Sequence, residues 1–567
     1  FGFDQGFDTY DDDLRSPGGG GLSPKIPERS AEATADRAIA WLDGLTSDQP
    51  FFLWVHFYDP HTPYSPPSPW AEKFRDRPYD GEIAYMDSQI GRLLQHPKAA
   101  RDDVVIVAIG DHGEGLGDHG EQEHGLLIYE STIRVPWIVK LPRGPAGIRV
   151  SAPISQVDLV PTILETVSVE PHSSLGALEG RSLLPLLRGD DWTSDRLLFS
   201  ETEVPFFSYG WARLRSVRQA AVKYIDAPVE ELYELESDPT ENNNIAAHRE
   251  AESRRLAEEI AAWSARASET ESAPPVDAET EAMLRALGYS AGDPGRPEGE
   301  GHGNPVELIA VHEELQAVNR LMVSGRMSEA VSRLRGVLAR DPENLAALRD
   351  LSAGLVQLGQ LDEAAEVAAQ GTAAAPWSSR ALKAAADVEF RRGHHQQALD
   401  LIDQSLVLDS RFLEARLDRS GYLVALGRNT EARAELDGLL EESPENEWVA
   451  LRYAENVELP AGDFRAAEDR LRAVLSQKPY FADGWLVLGA ILTRAGRTGD
   501  AASVYSEAIR NGVNHPDLRI RLALLLADSA DPGAENALRA AAGVSPVARA
   551  DIHVALGEIL AGSGRRN

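Results

Sequence analysis

The sequence contains no cysteine, which excludes disulfide cross-links and thiolate-ligated metal sites while leaving the compartment open. No run approaches 18 uninterrupted apolar residues, so no membrane-crossing helix is expected. The first residues show no signal-peptide pattern, which means little in a chain that opens on Phe1. Positive charge is scarce: 56 Lys and Arg stand against 90 Asp and Glu, a formal net charge of -34 at pH 7. That balance argues against nucleic acid or an anionic membrane surface as partner, since both demand basic patches. An anionic substrate would meet a repulsive field, so its site must supply its own cations, from a metal and nearby side chains.

Against these absences stand 567 residues that are 43% hydrophobic, enough for several domains with real cores. One stretch concentrates potential ligands: Val104 to Pro136, VVIVAIGDHGEGLGDHGEQEHGLLIYESTIRVP. Val104 to Ile109 is apolar and β-branched, which predicts a strand buried on both faces, as in a parallel sheet. Gly110 then breaks the run into a loop carrying Asp111, His112, Asp118, His119 and His124, three histidines and two aspartates within 14 residues. Loops collect such residues for turns and solubility, but this density directly after a buried strand points to a site. Open α/β sheets bind ligands beyond the carboxyl ends of their strands, where Asp111 and His112 would offer an oxygen and a nitrogen. Gly113 is expected to let the backbone turn tightly beside an ion.

Around that stretch the pattern alternates between helix and strand. Ser30 to Leu45 predicts an amphipathic helix capped by Ser30, and Tyr79 to Leu94 a second, with Asp87 in a structural role. Phe51 to Phe57 predicts a buried strand ended by Asp59-Pro60, with His56 a packed core histidine. His61, between Pro60 and Thr62-Pro63, is held in a stiff turn at the end of that strand and is a candidate for the site. Val135 to Leu141 predicts another strand, Ser155 to Thr166 a helix begun or kinked around Pro161, and Glu179 to Leu183 the approach to a Leu-rich helical turn. From about 197 to 236 short strands follow one another, with Lys223 expected as a strand-edge residue, and a helix runs from about Ala246 to Arg266 with a tail through Arg285 to Tyr289.

Ala291 to Asn304 is Gly, Pro and charge without apolar period, a linker. After it, glycines recur at 325, 359, 393, 427, 462 and 496, and alanines follow at 330, 364, 398, 432, 467 and 501, with Pro342, Pro376, Pro444 and Pro479 in phase. This 34-residue period, with Gly at the helix-helix turn and a small residue at the crossing, is the tetratricopeptide pattern, and Trp485-x-x-Leu488-Gly489 matches its first-helix consensus. Six clear repeats, a degenerate seventh around Ala530 and the start of an eighth at Gly557 and Gly564 predict an α-solenoid. Its concave face is expected to bind an unknown protein partner, with a spacer arm as the alternative.

The first half resembles the sulfatase family of the alkaline phosphatase superfamily. The resemblance rests on Asp111-His112-Gly113 followed by Tyr129, Glu130, Arg134, Val135 and Pro136, and on Pro60-His61-x-Pro63-Tyr64. It rests also on the opening Gly2-Phe3-Asp4-x-Gly6-Phe7-Asp8 and on the closing pattern from Val222 to Asn244. It implies an α/β sulfatase-like domain over 1–290 lacking its N-terminal part, then the linker 291–304 and an all-α tetratricopeptide array over 305–567. By the same resemblance Asp111 and His112 are metal ligands, and His61 and His124 bind the sulfate or assist the leaving oxygen. One divalent ion is implied, calcium first; the imidazole of His112 keeps manganese or zinc open. The family's formylglycine nucleophile, from a C/S-x-P-x-R motif absent here, would lie upstream, so the fragment is expected to be inactive alone. A sulfated small molecule or glycan is the implied substrate and a bacterial periplasmic or secreted location the implied setting. Phosphodiester or phosphonate monoester hydrolysis, phosphoryl transfer, and a non-catalytic scaffold remain as alternatives.

Overall fold

A computed structural model describes residues 4–12, 29–46, 49–144, 146–171, 178–190, 192, 195–267, 301–513, 515–529, 533–544, 554–556 and 559. Helix α1 (Ala31–Gly44) begins where the sequence supplies acceptors for its free N–H groups: Ser30 Oγ takes that of Ala33 at 3.4 Å and Asp59 that of Ala31 at 2.5 Å. After the short α2 (Trp70–Lys73), α3 (Pro78–Leu94) packs on α1, and its Tyr85 hydroxyl accepts from the Glu32 N–H at 3.1 Å. Phe51, Leu53, Val55 and Phe57 lie against the Ala38, Leu42 and Leu93 cluster between these helices.

The segment 51–57 departs from expectation. It is extended but joins no strand ladder among the described residues, and burial alternates along it, leaving Phe52, Trp54 and His56 exposed. His56 is therefore not a core histidine: the period of two turns it to the face opposite the helices. Strand β1 (Ile106–Ile109) is likewise only partly buried, and its single partner among the described residues is β2 (Trp137–Lys140), antiparallel, with Ile106 opposite Lys140 and Ile109 opposite Trp137. The connection through α4 (Glu130–Ile133) brings the chain straight back alongside β1, which imposes the antiparallel pairing in place of the expected parallel, doubly buried one.

Ser155 and Asp158 form a capping box ahead of α5 (Leu159–Thr166), where Pro161 occupies the first turn and needs no donor. Helix α6 (Leu184–Arg188) supplies the Leu-rich turn. The four-stranded antiparallel sheet runs β3 (Leu197–Thr202), β4 (Leu214–Gln219), β5 (Val222–Asp226), β6 (Glu231–Glu234) in chain order, with α7 (Val204–Tyr209) between β3 and β4. One face buries Val217, Tyr224 and Leu232 under α8 (Glu250–Ala267).

Lys223 corrects a second expectation: it sits on the inner strand β5, fully buried, with Nζ 2.7 Å from Glu241 and 3.5 Å from Glu130. A buried ammonium requires such partners, and the two glutamates reach it from a loop and from α4.

Beyond Gly301 the described residues are helical, and seven antiparallel pairs follow among them, from Pro305–Val323 with Met327–Arg340 to Pro516–Asp528 with Ala534–Val544. The recurring glycines take φ between +75° and +84°, the left-handed conformation that ends each first helix. All six periodic alanines are fully buried at the helix crossings. The one spacing of 35, from Gly427 to Gly462, is absorbed by a π-helical turn at Ala454–Glu458, which holds the extra residue without breaking the helix. Gly489 is where a Cβ would stand 2.2 Å from the Tyr505 ring, the physical reason for glycine in that consensus position. Ala530, Gly557, Gly564 and 268–300 lie outside the described residues, but Gly301 to Asn304 are not a free linker: His302 donates its backbone N–H to the Gly210 carbonyl at 2.9 Å. No helix among the described residues is long and apolar enough to cross a membrane.

Candidate functional site

The site is built at the exit of β1. Gly110 donates to the Pro136 carbonyl at 3.2 Å, and Gln156 Nε2 donates to the carbonyls of Gly110 and Asp111 at 2.8 and 2.6 Å, fixing the turn that presents Asp111. Gly113 serves close approach, with no left-handed turn: its N–H donates to the Thr132 carbonyl at 2.7 Å, and a Cβ there would stand 2.2 Å from the Ser131 oxygen. The chain then loops out and returns, with backbone bonds from Gly115 to Glu123 at 2.8 Å and from Gly117 to Glu121 at 2.8 Å, so that His124 comes back over His112.

Three histidines meet here. The rings of His112 and His124 are stacked at 3.8 Å, and His61 lies edge-on to His124 at 6.4 Å. Each is pinned through Nδ1: His112 to the Gly113 carbonyl at 2.8 Å, His61 to the Thr62 carbonyl at 2.8 Å and His124 to the Glu114 carboxylate at 3.3 Å. Holding Nδ1 fixes the ring and makes Nε2 the nitrogen able to ligate or move a proton. His61 is further held by stacking on Tyr58 at 4.3 Å and by its backbone N–H, which donates to the buried carboxylate of Glu82 at 3.1 Å. Both X-Pro bonds flanking it, Asp59-Pro60 and Thr62-Pro63, are cis.

Electrostatics bias one imidazole, His124, toward its charged form. Burial pulls the His124 imidazole down, but the hydrogen bond and charge of Glu114 outweigh it and hold His124 above its ordinary range. Burial pushes Glu114 up, yet His124 and the Tyr64 hydroxyl bring it below the ordinary carboxylate range. Glu121, fully enclosed beneath the loop, accepts from the Leu126 N–H at 2.7 Å and from Leu127 at 3.2 Å, and burial raises it to about 7.

The carboxylate of Asp111 is 70% exposed and its Oδ2 lies 3.9 Å from His112 Nε2. This oxygen and nitrogen fit part of the coordination sphere of a divalent ion, and the Nδ1 anchor of His112 is the support a ligating imidazole needs. Among the described residues no group of three or more His, Asp or Glu side chains is placed to hold an ion, so the pair supplies only part of such a site.

The loop's other candidates turn away: His119 stacks on Tyr129 at 3.5 Å with Nε2 3.0 Å from the Glu241 carbonyl, and Asp118 sits beside it. Sequence reasoning missed Glu114, Glu82, Gln156 and Glu121. Glu114 follows Asp-His-Gly directly and could have been paired with a downstream histidine, and Glu121 accepts from N–H groups only five and six residues on; Glu82 and Gln156 act across long separations and carry no local signal.

Comparison with known proteins agrees with the layout. Residues 1–169 match the Sulfatase family and 117–265 the C-terminal part of the N-sulphoglucosamine sulphohydrolase family. Tetratricopeptide repeat families match 321–388, 383–447 and 456–516. A choline-sulfatase of Rhizobium meliloti is 29% identical over 174 residues, 30% of this chain and 33% of that protein. An N-acetylglucosamine-6-O-sulfatase of Bacteroides thetaiotaomicron is 31% identical over 188 residues, 31% of this chain and 33% of that protein. A phosphonate monoester hydrolase structure from Silicibacter pomeroyi aligns over 46% of this chain and 66% of its own, at 22% identity and a TM-score of 0.36. The chain spans from a third to about half of the length of the first curated relatives it matches.

Proposed function

From a chain that joins sulfatase-family sequence to tetratricopeptide repeats, we propose that His61, Asp111, His112 and His124 belong to a metal-dependent hydrolase of sulfate monoesters acting on sulfated small molecules or glycans. The observation that carries the reading is the convergence of three imidazoles, each anchored at Nδ1, beside an exposed Asp111 at the carboxyl end of a strand.

Asp111 and His112 would hold one divalent ion, calcium or, given the imidazole, manganese or zinc. Bound there, such an ion would supply charge neutralisation to an anionic ester. His124, its charged form favoured by the hydrogen bond and charge of Glu114, would draw the sulfate in against a net charge of -34 on the chain. His61 is held rigidly enough to give a proton to the departing alkoxide or phenoxide oxygen, the step that makes a poor leaving group viable. The nucleophile, a formylglycine, would come from sequence outside these residues.

His112 favours keeping the phosphonate and phosphodiester reading, since nitrogen suits ions other than calcium. An aryl sulfate and an aryl phosphonate offered to the complete protein separate the two. Sulfate release that falls at least about tenfold in His61→Gln supports the proposal; turnover of the phosphonate alone rejects it. The repeat array would carry a protein partner on its concave face.

A further inference from the structure

The loop that returns His124 to His112 does not end in solvent. Its tip meets the first repeat helix, Pro305–Val323: a Cβ on Gly120 would stand 2.9 Å from Ile309 Cγ2, and the Gln122 N–H donates to Glu313 Oε1 at 3.3 Å. Behind the tip, Leu126, Leu127, Ile128 and Tyr129 belong to the same buried cluster as Ile309, Val311 and Leu315. The repeat helix is itself locked to the sheet domain. Tyr209 and His312 share a hydrogen bond at 2.8 Å, and Asp341, which ends the second helix of the same hairpin, receives the Trp211 indole at 2.7 Å. A spacer arm would need none of these contacts.

We propose that Ile309 and Glu313, on the first tetratricopeptide helix, are positioning residues for the candidate site: they hold the loop 115–125 so that His124 stays over His112 and against Glu114. The proposal rests on the reading of that cluster as a site, but the contact itself does not depend on which ester is cleaved. The repeat array is then part of the site's framework, and whatever moves its first hairpin moves His124.

Amide exchange on the full chain tests this directly. In Ile309→Ala/Glu313→Ala, exchange in residues 115–128 rises about tenfold or more while β3 to β6 keep their protection. Leu488→Ala, of comparable burial in a distant repeat, leaves 115–128 unchanged, and Ile309→Val restores most of the protection. A second measurement uses the pair Gly120→Ala and Ile309→Ala: the φ of +87° at Gly120 strains any Cβ, but the part of the loosening that comes from the Ile309 contact is relieved when that branch is removed, so the effects on exchange of 115–128 are non-additive. Unchanged exchange in 115–128, equal loosening throughout the chain, or additive effects of that pair would each overturn the proposal. In the complete protein the double variant raises KM for an aryl sulfate several-fold with metal content unchanged; a fall in kcat alone counts against positioning of a sulfate-binding residue. Wild-type protein without any ester hydrolysis, together with the exchange result, would refute the proposed function and leave the positioning contact standing.

Discussion

Lys223→Met is the perturbation whose size the structure fixes best. The Lys223 ammonium is fully buried, its Nζ 2.7 Å from Glu241 and 3.5 Å from Glu130, while Arg218 reaches Glu130 from the other side at 2.8 Å. Methionine fills the same space and removes the charge, leaving Glu130 with Arg218 but Glu241 buried with no cation. Breaking one side of a buried pair costs about 3–5 kcal/mol at neutral pH. The pH dependence has a definite sign. Burial holds Glu241 above its ordinary range and Lys223 only partly offsets this. A carboxyl raised in the folded state stabilises below its unfolded value and loses that contribution as pH rises through the folded one. Removing Lys223 raises it further, so the loss is greatest near pH 7 and shrinks toward pH 5. Urea unfolding at the two pH values measures this, and Lys223→Met/Glu241→Gln recovers most of the stability at pH 7. A loss under about 1 kcal/mol at pH 7, or an equal loss at both pH values, would refute the reasoning.

Other expectations are as concrete. Burial lowers His312 from 6.5 to about 4, so its contribution, about 3 kcal/mol at most, is present above pH 6.5 and lost as pH falls toward 4; His312→Phe should flatten that part of the urea-midpoint profile. Glu121 runs oppositely: raised from 4.5 to about 7, it stabilises below pH 4.5 and loses this as pH rises through 7, and Glu121→Gln should remove the slope in that window. Gly113→Ala places a Cβ 2.2 Å from the Ser131 oxygen and should cost about 1–3 kcal/mol while weakening metal uptake, read by thermal melting and metal analysis. Gly489→Ala, 2.2 Å from the buried Tyr505 ring, should cost a similar amount, about 1–3 kcal/mol, with no effect on metal content.

The legible parts of this chain are those where one local rule repeats. A glycine every 34 residues with an alanine five behind it leaves one solution, and even the single step of 35 becomes a π-turn. Ser30 as a cap and Pro161 in a first turn were readable because capping is local. Where partner and environment decide, the sequence is silent. An apolar run such as Phe51 to Phe57 does not say what covers its second face, and here Phe52, Trp54 and His56 are exposed. Val222 to Ile225 reads as a strand but not as an inner one, so the buried pairing of Lys223 with Glu241 and Glu130 stayed hidden. Density singled out His112 and His124 along with His119, which turns away, and the stiff turn singled out His61, but Glu114 at 10 residues and Glu313 at 191 residues from the groups they hold arise from the folded path alone.

The most direct test of the central claim is Asp111→Ala in the complete protein, with metal content and sulfate release measured on the same preparation. Loss of the ion and of turnover together is the expected result. Turnover that persists with unchanged metal content would contradict the assignment of Asp111 and His112 as the ion's ligands, and with it the reading of this cluster as a sulfatase site.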